Sequence, residues 1–389
     1  MSTECNYLYG VMPADKASPG APGFGPIGID GGEVRVVTHG AIAMVTSPAP
    51  RIDFSRLPPE KALQYLAEHQ RVLERVMTDS AVIPLKFGTL ADDDRQILDI
   101  LQSGSPGAPA FAHALEQYAG KFEWDLVACW ADLQAVLSEI AAEPAVVSMK
   151  AEVSAHGPAS RLAGPTTEQR VQLGRLVRKL LTRRRDRIAA EVVAALRAQW
   201  PEIVVNPTKD DAMILHVAVL IGRDEESLFD QLIDRLNRDY EDRLNFRCVG
   251  PLPPYSFATA EVRAVDAEEL DAARQLLGVG ERLSPAEIKA AYRRVLPEVH
   301  PDRNPGAEAA ERMKELVAAH QLLEEYALNC NQTPPADLPA QAGRGRPVIV
   351  KIRTLPELRA RAGAGEPAGR SRRTSDPLER MEPLVAGAR

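Results

Sequence analysis

Apolar residues in the first third of the chain change between the spacing of strands and the spacing of helices. Asn6–Met12 and Ala41–Thr46 are short β-prone runs, separated by a segment rich in glycine and proline. The following segment has apolar residues at every third or fourth position, which is the pattern of an amphipathic helix. Further strands are predicted at Ala81–Phe87 and Phe122–Trp130, with helices between and after them. These mixed elements predict an N-terminal α+β domain over residues 1–143.

The second segment has a different order of elements. Ala145–Val153 is predicted to be a strand, and a long helix follows, with Thr166 or Thr167 as its N-cap. Further elements complete the segment: strands at about 203–206 and 212–221, a helix at Glu225–Tyr240, and strands near 244–249 and 256–264. Strand–helix–strand–strand–helix–strand is the order of the ferredoxin-like βαββαβ fold. We therefore expect a ferredoxin-like domain over residues 144–265.

The last third divides into a helical part and a basic tail. Residues 266–328 have helical periodicity throughout and predict a compact helical module. Residues 329–389 are rich in proline, glycine, alanine and arginine, with few apolar residues to offset the cost of ordering. Such a composition predicts disorder. The run at 348–355 (VIVKIRTL) is the exception, since its β-branched residues fit a strand that docks elsewhere.

Composition narrows the class of protein. The 389 residues are 45% hydrophobic and carry a net charge of −7, which predicts a soluble chain of two to three domains. The acidic balance argues against specific nucleic-acid binding. The longest apolar stretch, Ala212–Ile221, is far shorter than the ~20 residues that span a bilayer. Four cysteines without a C-x-x-C pair indicate reduced thiols, and no secretory signal is present, so we expect a cytoplasmic protein.

Candidate catalytic chemistry is sparse. The segment Gly20–Gly32 lacks the spacing of a phosphate-binding loop, and no G-x-S-x-G string occurs. His69, on the apolar side of its helix, is expected to be structural, and Lys86 is expected to be a snorkelling edge residue. The arginines at 183–185, with Arg187, are interpreted as a solvated face or as a face that forms inter-domain ion pairs. We predict a non-enzymatic protein without catalytic residues, metal or cofactor.

A helical hairpin in the third segment carries the sharpest motif. Ser284–Glu287 forms a capping-box sequence with proline at the first helical position. The helix that follows ends at the string His-Pro-Asp, since proline disfavours helical geometry in the residue before it. A second amphipathic helix is predicted at Ala309–Tyr326, and Leu270–Val279 supplies a third. This order of motifs resembles the J-domain family over about sixty residues.

The J-domain resemblance implies a surface that engages the ATPase of an Hsp70 chaperone. Its residues would be the loop and the basic face of the preceding helix: His300, Pro301, Asp302, Lys289, Arg293 and Arg294. Two residues depart from the family pattern, namely Pro297 inside the helix and Glu298 where the family usually has lysine. Two hypotheses therefore stay open: active coupling to Hsp70, or a J-like docking module that does not activate it.

Four strings in the first two thirds of the chain occur in a characteristic order. They are YLYGV at 7–11, EHQRVLERVM at 68–77, VIPLKFGT at 82–89 and GPLPPYSF at 250–257. Together they resemble the gas vesicle GvpL/GvpF family over about residues 5–265. The resemblance implies an accessory protein of gas vesicle assembly, located in the cytoplasm with the vesicles. Its implied partners are the shell protein and other accessory gas vesicle proteins.

The combined hypothesis is an assembly factor whose α+β domains hold aggregation-prone shell protein while the J-like module recruits Hsp70. The alternative is a general J-domain co-chaperone with an α+β client-binding region. The Gly/Phe-rich linker and zinc-binding cysteines of many such co-chaperones are absent from this sequence. A small-molecule sensor built on the ferredoxin-like sheet has no support beyond fold analogy.

Overall fold

The structure is a computed structural model that describes residues 4–16, 24–102, 108–154, 166–280, 284–299, 307–330 and 348–354. The chain divides into two compact units. Unit 2 is Lys121–Leu252, and unit 1 contains the described residues before and after it.

Unit 1 is built on a mixed set of long and short antiparallel strands. The central strand β1 (Glu4–Pro13) pairs on one side with β3 (Ile42–Pro50), which in turn pairs with β2 (Arg35–His39). On its other side β1 pairs with the two-residue strands β4 (Ile83–Pro84) and β5 (Leu90–Ala91). Both faces of β3 are largely buried, which explains its nearly continuous apolar sequence.

Three helices pack in the N-terminal part of this unit: α1 (Pro59–Met77), α2 (Asp94–Gln102) and α3 (Ala108–Gln117). Helix α1 begins with proline in its first turn, where the missing N–H costs no hydrogen bond. Its buried residues follow the predicted helical spacing: Ala62, Tyr65, Leu66, His69, Val72, Leu73, Val76 and Met77. The predicted amphipathic helix is therefore confirmed.

A two-stranded sheet joins the end of the family strings to the C-terminal tail. Strand β10 (Ala258–Ala264) pairs antiparallel with β11 (Val348–Thr354), and Ala260 also forms a parallel bridge with Leu85. The predicted docking strand is confirmed. This run is the exception that the sequence predicted within the tail, and its residues Ile349 and Val350 are buried. Residues 331–347 and 355–389 lie outside the described residues.

The helical module also belongs to unit 1. It consists of α8 (Ala267–Leu277), α9 (Pro285–Val299) and α10 (Ala307–Cys330), in agreement with the predicted helical character. Gly278 adopts φ +63° and ends α8, as expected of a left-handed C-cap. Residues from all three helices and from β11 share one core, among them Leu270, Leu277, Ile288, Leu316, Leu323, Tyr326 and Ile349.

Unit 2 contains a four-stranded antiparallel sheet. Its strands, in the order in which they pair, are β7 (Ile203–Asn206), β8 (Met213–Gly222), β6 (Lys121–Trp130) and β9 (Leu244–Leu252). Strand β6 comes first in the chain among these four, but it lies inside the sheet, between β8 and β9. Central placement suits the sequence of β8, in which eight consecutive residues are buried.

The helices of unit 2 are α4 (Leu133–Ala141), α5 (Pro144–Ser154), α6 (Thr167–Arg197) and α7 (Glu226–Asp239). The long helix α6 begins at the predicted N-cap, where Thr166 and Gln169 form a capping box. Its residues Ile188, Val192 and Leu196 are buried in one core with the sheet.

The prediction of a strand at Ala145–Val153 is wrong, because this segment is helix α5. Pro144 suits a first helical turn, and the less exposed residues Val146 and Met149 are three positions apart. The strand that begins the βαββαβ order is β6, which pairs with β8 and β9. The order therefore runs through Lys121–Leu252 rather than 144–265, and the strand predicted at 256–264 is β10 of unit 1.

Candidate protein-interaction sites

The first and third family strings meet in a buried aromatic cluster in unit 1. The rings of Tyr7, Tyr9 and Phe87 contact the imidazole of His69, Phe54 packs against Tyr7 and Phe87, and neighbouring ring centres lie 4.8–6.4 Å apart. Such offset and edge-on contacts add to the stability that burial itself provides. These residues hold the fold together and are not available to a partner.

Hydrogen bonds within this cluster set the chemistry of His69. The backbone N–H of Gly88 donates to the Tyr7 hydroxyl at 3.0 Å, so the Tyr7 proton is directed at Nδ1 of His69, also at 3.0 Å. Burial lowers the pKa of His69 from 6.5 to about 3. The imidazole is therefore neutral and accepts at Nδ1, and the expected structural role agrees with this geometry.

Close packing and hydrogen bonding explain why glycine and tyrosine occur at particular positions of the family strings. A Cβ atom on Gly10 would lie 2.8 Å from Val82 Cγ2, so only glycine allows this close approach of the two strings. The Tyr255 hydroxyl donates to Gln70 Oε1 at 2.6 Å, which links the fourth string to helix α1. The motifs that identify the family are thus largely positions that determine the fold.

Lys86 lies at the point where the third string meets β10. Its backbone N–H donates to the Ala260 carbonyl at 2.9 Å, and its ammonium group is 3.7 Å from Glu261 Oε1. The lysine side chain is 42% exposed. The contact is a partly solvated ion pair at a strand edge, as expected from the sequence.

Only three of the six predicted Hsp70-facing residues belong to the described part of the chain, namely Lys289, Arg293 and Arg294. His300, Pro301 and Asp302 lie outside the described residues. Lys289 and Arg293 are both exposed on α9, four positions apart and therefore on one face. Pro297 is accommodated within α9, which continues to Val299.

Arg294 has a different environment from its neighbour Arg293. Its guanidinium donates to the carbonyl oxygens of Leu277 at 3.3 Å and Gly278 at 3.5 Å. These carbonyls lie at the C-terminal end of α8, where backbone acceptors lack helical partners and a cation is favoured. Arg294 thus links α8 to α9, which sequence reasoning missed because the contact depends on how the two helices pack.

The arginines of α6 differ in their ion-pair partners. Arg184 forms ion pairs of 2.7 Å with Glu139 and with Glu143, both within unit 2. Arg185 pairs with its neighbour Asp186 at 2.9 Å, and Arg187 approaches Glu191 at 3.9 Å. These ion pairs lie within unit 2, so they are not the inter-domain pairs that the sequence suggested.

A groove beside the first half of α6 was not predicted. It has a volume of about 500 Å³ and is lined by Leu137, Arg170, Leu173, Gly174, Val177, Arg178, Leu181 and Asp211. The one sequence signal that could have indicated it is Gly174, an isolated glycine inside a 31-residue helix, which the sequence prediction did not use.

Other kinds of site are missing from the described part of the chain. No group of three or more His, Cys, Asp or Glu side chains there is placed to hold a metal ion. Within the same residues, no helix is both long and apolar enough to cross a membrane.

Comparisons with known proteins identify two segments. Residues 5–259 match the family model described as "Gas vesicle synthesis protein GvpL/GvpF", and residues 275–327 match the DnaJ domain. Gas vesicle protein F of Streptomyces sp. (strain CB03234) is 30% identical over 253 residues, which are 64% of this chain and 98% of that protein. Chaperone protein DnaJ of Chlamydia felis is 49% identical over 51 residues, 13% of each chain.

Solved structures agree with this assignment at the level of the fold. The crystal structure of gas vesicle protein GvpF from Anabaena sp. PCC7120 matches with a TM-score of 0.54 and 21% identity. The match covers 65% of this chain and 97% of that one. GvpF from Microcystis aeruginosa gives a TM-score of 0.52, with 65% and 98% covered. The family model spans well over half of the residues of this chain. This chain therefore belongs to the gas vesicle GvpL/GvpF family, and a DnaJ domain follows the family region.

Proposed function

We propose that this chain is a non-enzymatic accessory protein of gas vesicle assembly, which binds the shell protein and other accessory gas vesicle proteins and recruits Hsp70. The observation that carries the proposal is the presence of a GvpL/GvpF region and a DnaJ domain in one chain. In the structure, β11 packs with the helical module and pairs with β10, where the family region ends. The helical module therefore shares unit 1 with the first and last parts of the family region.

The proposed Hsp70 surface consists of the loop residues His300, Pro301 and Asp302 together with Lys289 and Arg293. The exposure of Lys289 and Arg293 supports this role. Arg294 contributes by positioning, because its guanidinium is engaged at the end of α8. A shell protein that forms an apolar assembly needs a soluble partner before assembly, and an Hsp70 cycle supplies a means of release.

We further infer that unit 2 is the ferredoxin-like part of the chain. Its strand order β7-β8-β6-β9, with every neighbouring pair antiparallel, supports this assignment. Family membership also supports a cytoplasmic location beside the vesicles. The gas vesicle proteins F and L of Streptomyces sp. (strain CB03234) and the DnaJ protein of Chlamydia felis are not named as enzymes.

Co-purification of the tagged chain from its host during vesicle formation tests the proposal. Wild type is expected to bring down gas vesicle proteins and Hsp70, whereas His300→Gln should lose Hsp70 alone. Capture of many unrelated proteins instead of gas vesicle proteins would favour a general co-chaperone. Loss of neither partner in the variant would remove the Hsp70 step.

A second measurement tests the charged face directly. Purified Hsp70 should hydrolyse ATP faster with wild-type protein, and the double variant Lys289→Glu/Arg293→Glu should lose most of this stimulation. Lys314→Glu is the matched control, because Lys314 is an exposed lysine on α10 whose partner Glu311 lies on the same helix. Equal stimulation by wild type and the double variant would argue for a docking module without Hsp70 activation.

A further inference from the structure

We propose that the groove beside α6 in unit 2 binds an amphipathic helix of a partner protein, and that this helix has an acidic flank. The proposal rests on the proposed function in one respect, since it takes the partner to be a gas vesicle protein. It goes further by naming the surface and the chemistry that the surface recognises.

The floor of the groove has the spacing that receives a helix. Leu173, Val177 and Leu181 occur at every fourth position and form one apolar row along α6, while Leu137 contributes from α4. A row of this kind matches apolar side chains at i, i+4 and i+8 of a second helix, which is how helices dock in grooves. A volume of about 500 Å³ accommodates several such side chains.

Gly174 allows the partner to approach closely. A Cβ atom built at this position has no neighbouring atom within 4 Å, so the fold of the described residues does not require glycine there. Glycine weakens a helix relative to alanine, and nothing in the geometry of α6 compensates for that loss. Arg170, Gly174 and Arg178 form the row beside the apolar one, which leaves a gap between two arginines.

The charges on the groove determine which helix fits. Arg170 and Arg178 are exposed, and neither has an ion pair within the described part of the chain. A helix with carboxylates beside its apolar stripe would pair with both guanidinium groups, and Asp211, which also lines the groove, would accept a basic residue. A second copy of α6 would place arginines against arginines, so it is excluded as the occupant.

Nucleic acid is the other polyanion that a row of arginines attracts. The groove lining contains no aromatic side chain on which a base would stack, and an apolar floor is of no use to a phosphate backbone. The structure therefore favours a protein helix.

Binding of synthetic peptides to the full-length chain tests the proposal. The probe is a fluorescein-labelled peptide of about 18 residues, or five helical turns, with a leucine stripe and glutamates on one flank. A second peptide carries lysine in place of every glutamate. Wild type is expected to bind the acidic peptide at least about tenfold more tightly than the basic one. The variant Arg170→Glu/Arg178→Glu should reverse this preference.

The variant Gly174→Leu tests whether filling the groove blocks the peptide while the protein stays folded. Leucine fills the gap in the groove and favours the helix, so circular dichroism should show intact protein while the affinity for the acidic peptide falls about tenfold or more. Gln172→Leu, at an exposed position of α6 outside the groove lining, is the matched control and should bind as wild type. Equal affinities across all variants would overturn the proposal, as would tighter binding of a short DNA duplex that is lost in the double arginine variant.

Co-purification distinguishes failure of this inference from failure of the proposed function. If wild type captures gas vesicle proteins and Gly174→Leu captures them equally, the groove is not the binding site, although the proposed function stands. If wild type binds the acidic peptide through the groove but captures no gas vesicle protein, the groove stands and the proposed function fails.

Discussion

The Tyr7 hydroxyl donates a hydrogen bond of 3.0 Å to Nδ1 of His69, in the middle of the buried aromatic cluster of unit 1. Three of the four family strings meet at this contact, since the first contains Tyr7, the second contains His69 and the third provides the Gly88 N–H that orients Tyr7. The histidine is held neutral because burial lowers its pKa to about 3.

This arrangement predicts that stability depends on pH. In the unfolded chain His69 takes up a proton below about pH 6.5, whereas in the folded chain it does so only near pH 3. The unfolded state therefore binds more protons between these values, and the free energy of unfolding falls as pH decreases, by at most about 1.4 kcal/mol per pH unit from this group. Urea unfolding from pH 7 to pH 4.5 measures the slope.

The variant His69→Gln keeps an acceptor for the Tyr7 hydroxyl but does not titrate in this range. Its unfolding free energy should depend less on pH than that of wild type. His113→Gln, which changes an exposed histidine of α3, is the matched control and should keep the wild-type slope. Parallel slopes in all three proteins would show that His69 does not contribute.

Strand β11 is predicted to hold the helical module onto β10. Ile349→Asp places a charge in the core that Ile349 shares with α8, α9 and α10, and should destabilise the module by about 3 kcal/mol. Hydrogen exchange of the backbone amides in Ala258–Ala264 should also become faster. Lys351→Gln removes only a surface ion pair with Glu325 and should cost at most about 1 kcal/mol. Unchanged exchange in Ile349→Asp would contradict the role of β11.

Adjacent arginines on α9 are predicted to behave differently. Arg294→Ala removes two hydrogen bonds to carbonyls at the end of α8 and should lower the stability of the module by about 1 kcal/mol. Arg293→Ala should leave stability within about 0.5 kcal/mol of wild type, because its exposed side chain makes no hydrogen bond or ion pair with the described residues, unlike that of Arg294. Thermal unfolding of both variants measures the difference. Equal melting temperatures would show that the Arg294 contact carries no energy.

Two glycines of unit 2 are predicted to respond to alanine with opposite signs. A Cβ atom on Gly250 would lie 2.5 Å from Cδ2 of Trp124, so Gly250→Ala forces the indole to move and should cost about 1–3 kcal/mol. Gly174→Ala meets no atom within 4 Å and should stabilise helix α6 by up to about 1 kcal/mol. Urea unfolding of the two variants beside wild type gives both signs, and destabilisation by both would contradict the open space at Gly174.

Local patterns in the sequence were sufficient to predict many individual helices and strands. Three predicted elements are present, and each was predicted from residues close together in the chain. They are helix α1 with its three- and four-residue spacing, helix α6 with its Thr166 cap, and the strand at the β-branched run Val348–Thr354. The four family strings and the His-Pro-Asp hairpin were likewise sufficient to recognise both the GvpL/GvpF region and the DnaJ domain.

The sequence by itself determined which segments repeat apolar residues with a helical or strand period, because that period follows from backbone geometry alone. Only the tertiary structure decided that β6 belongs to the sheet of unit 2, that Arg294 rather than Arg293 contacts α8, and that α6 has a groove beside Gly174. Each of these depends on contacts between residues distant in the chain. Strand pairing and helix packing select those contacts by burial and shape, and neither leaves a regular spacing in the sequence.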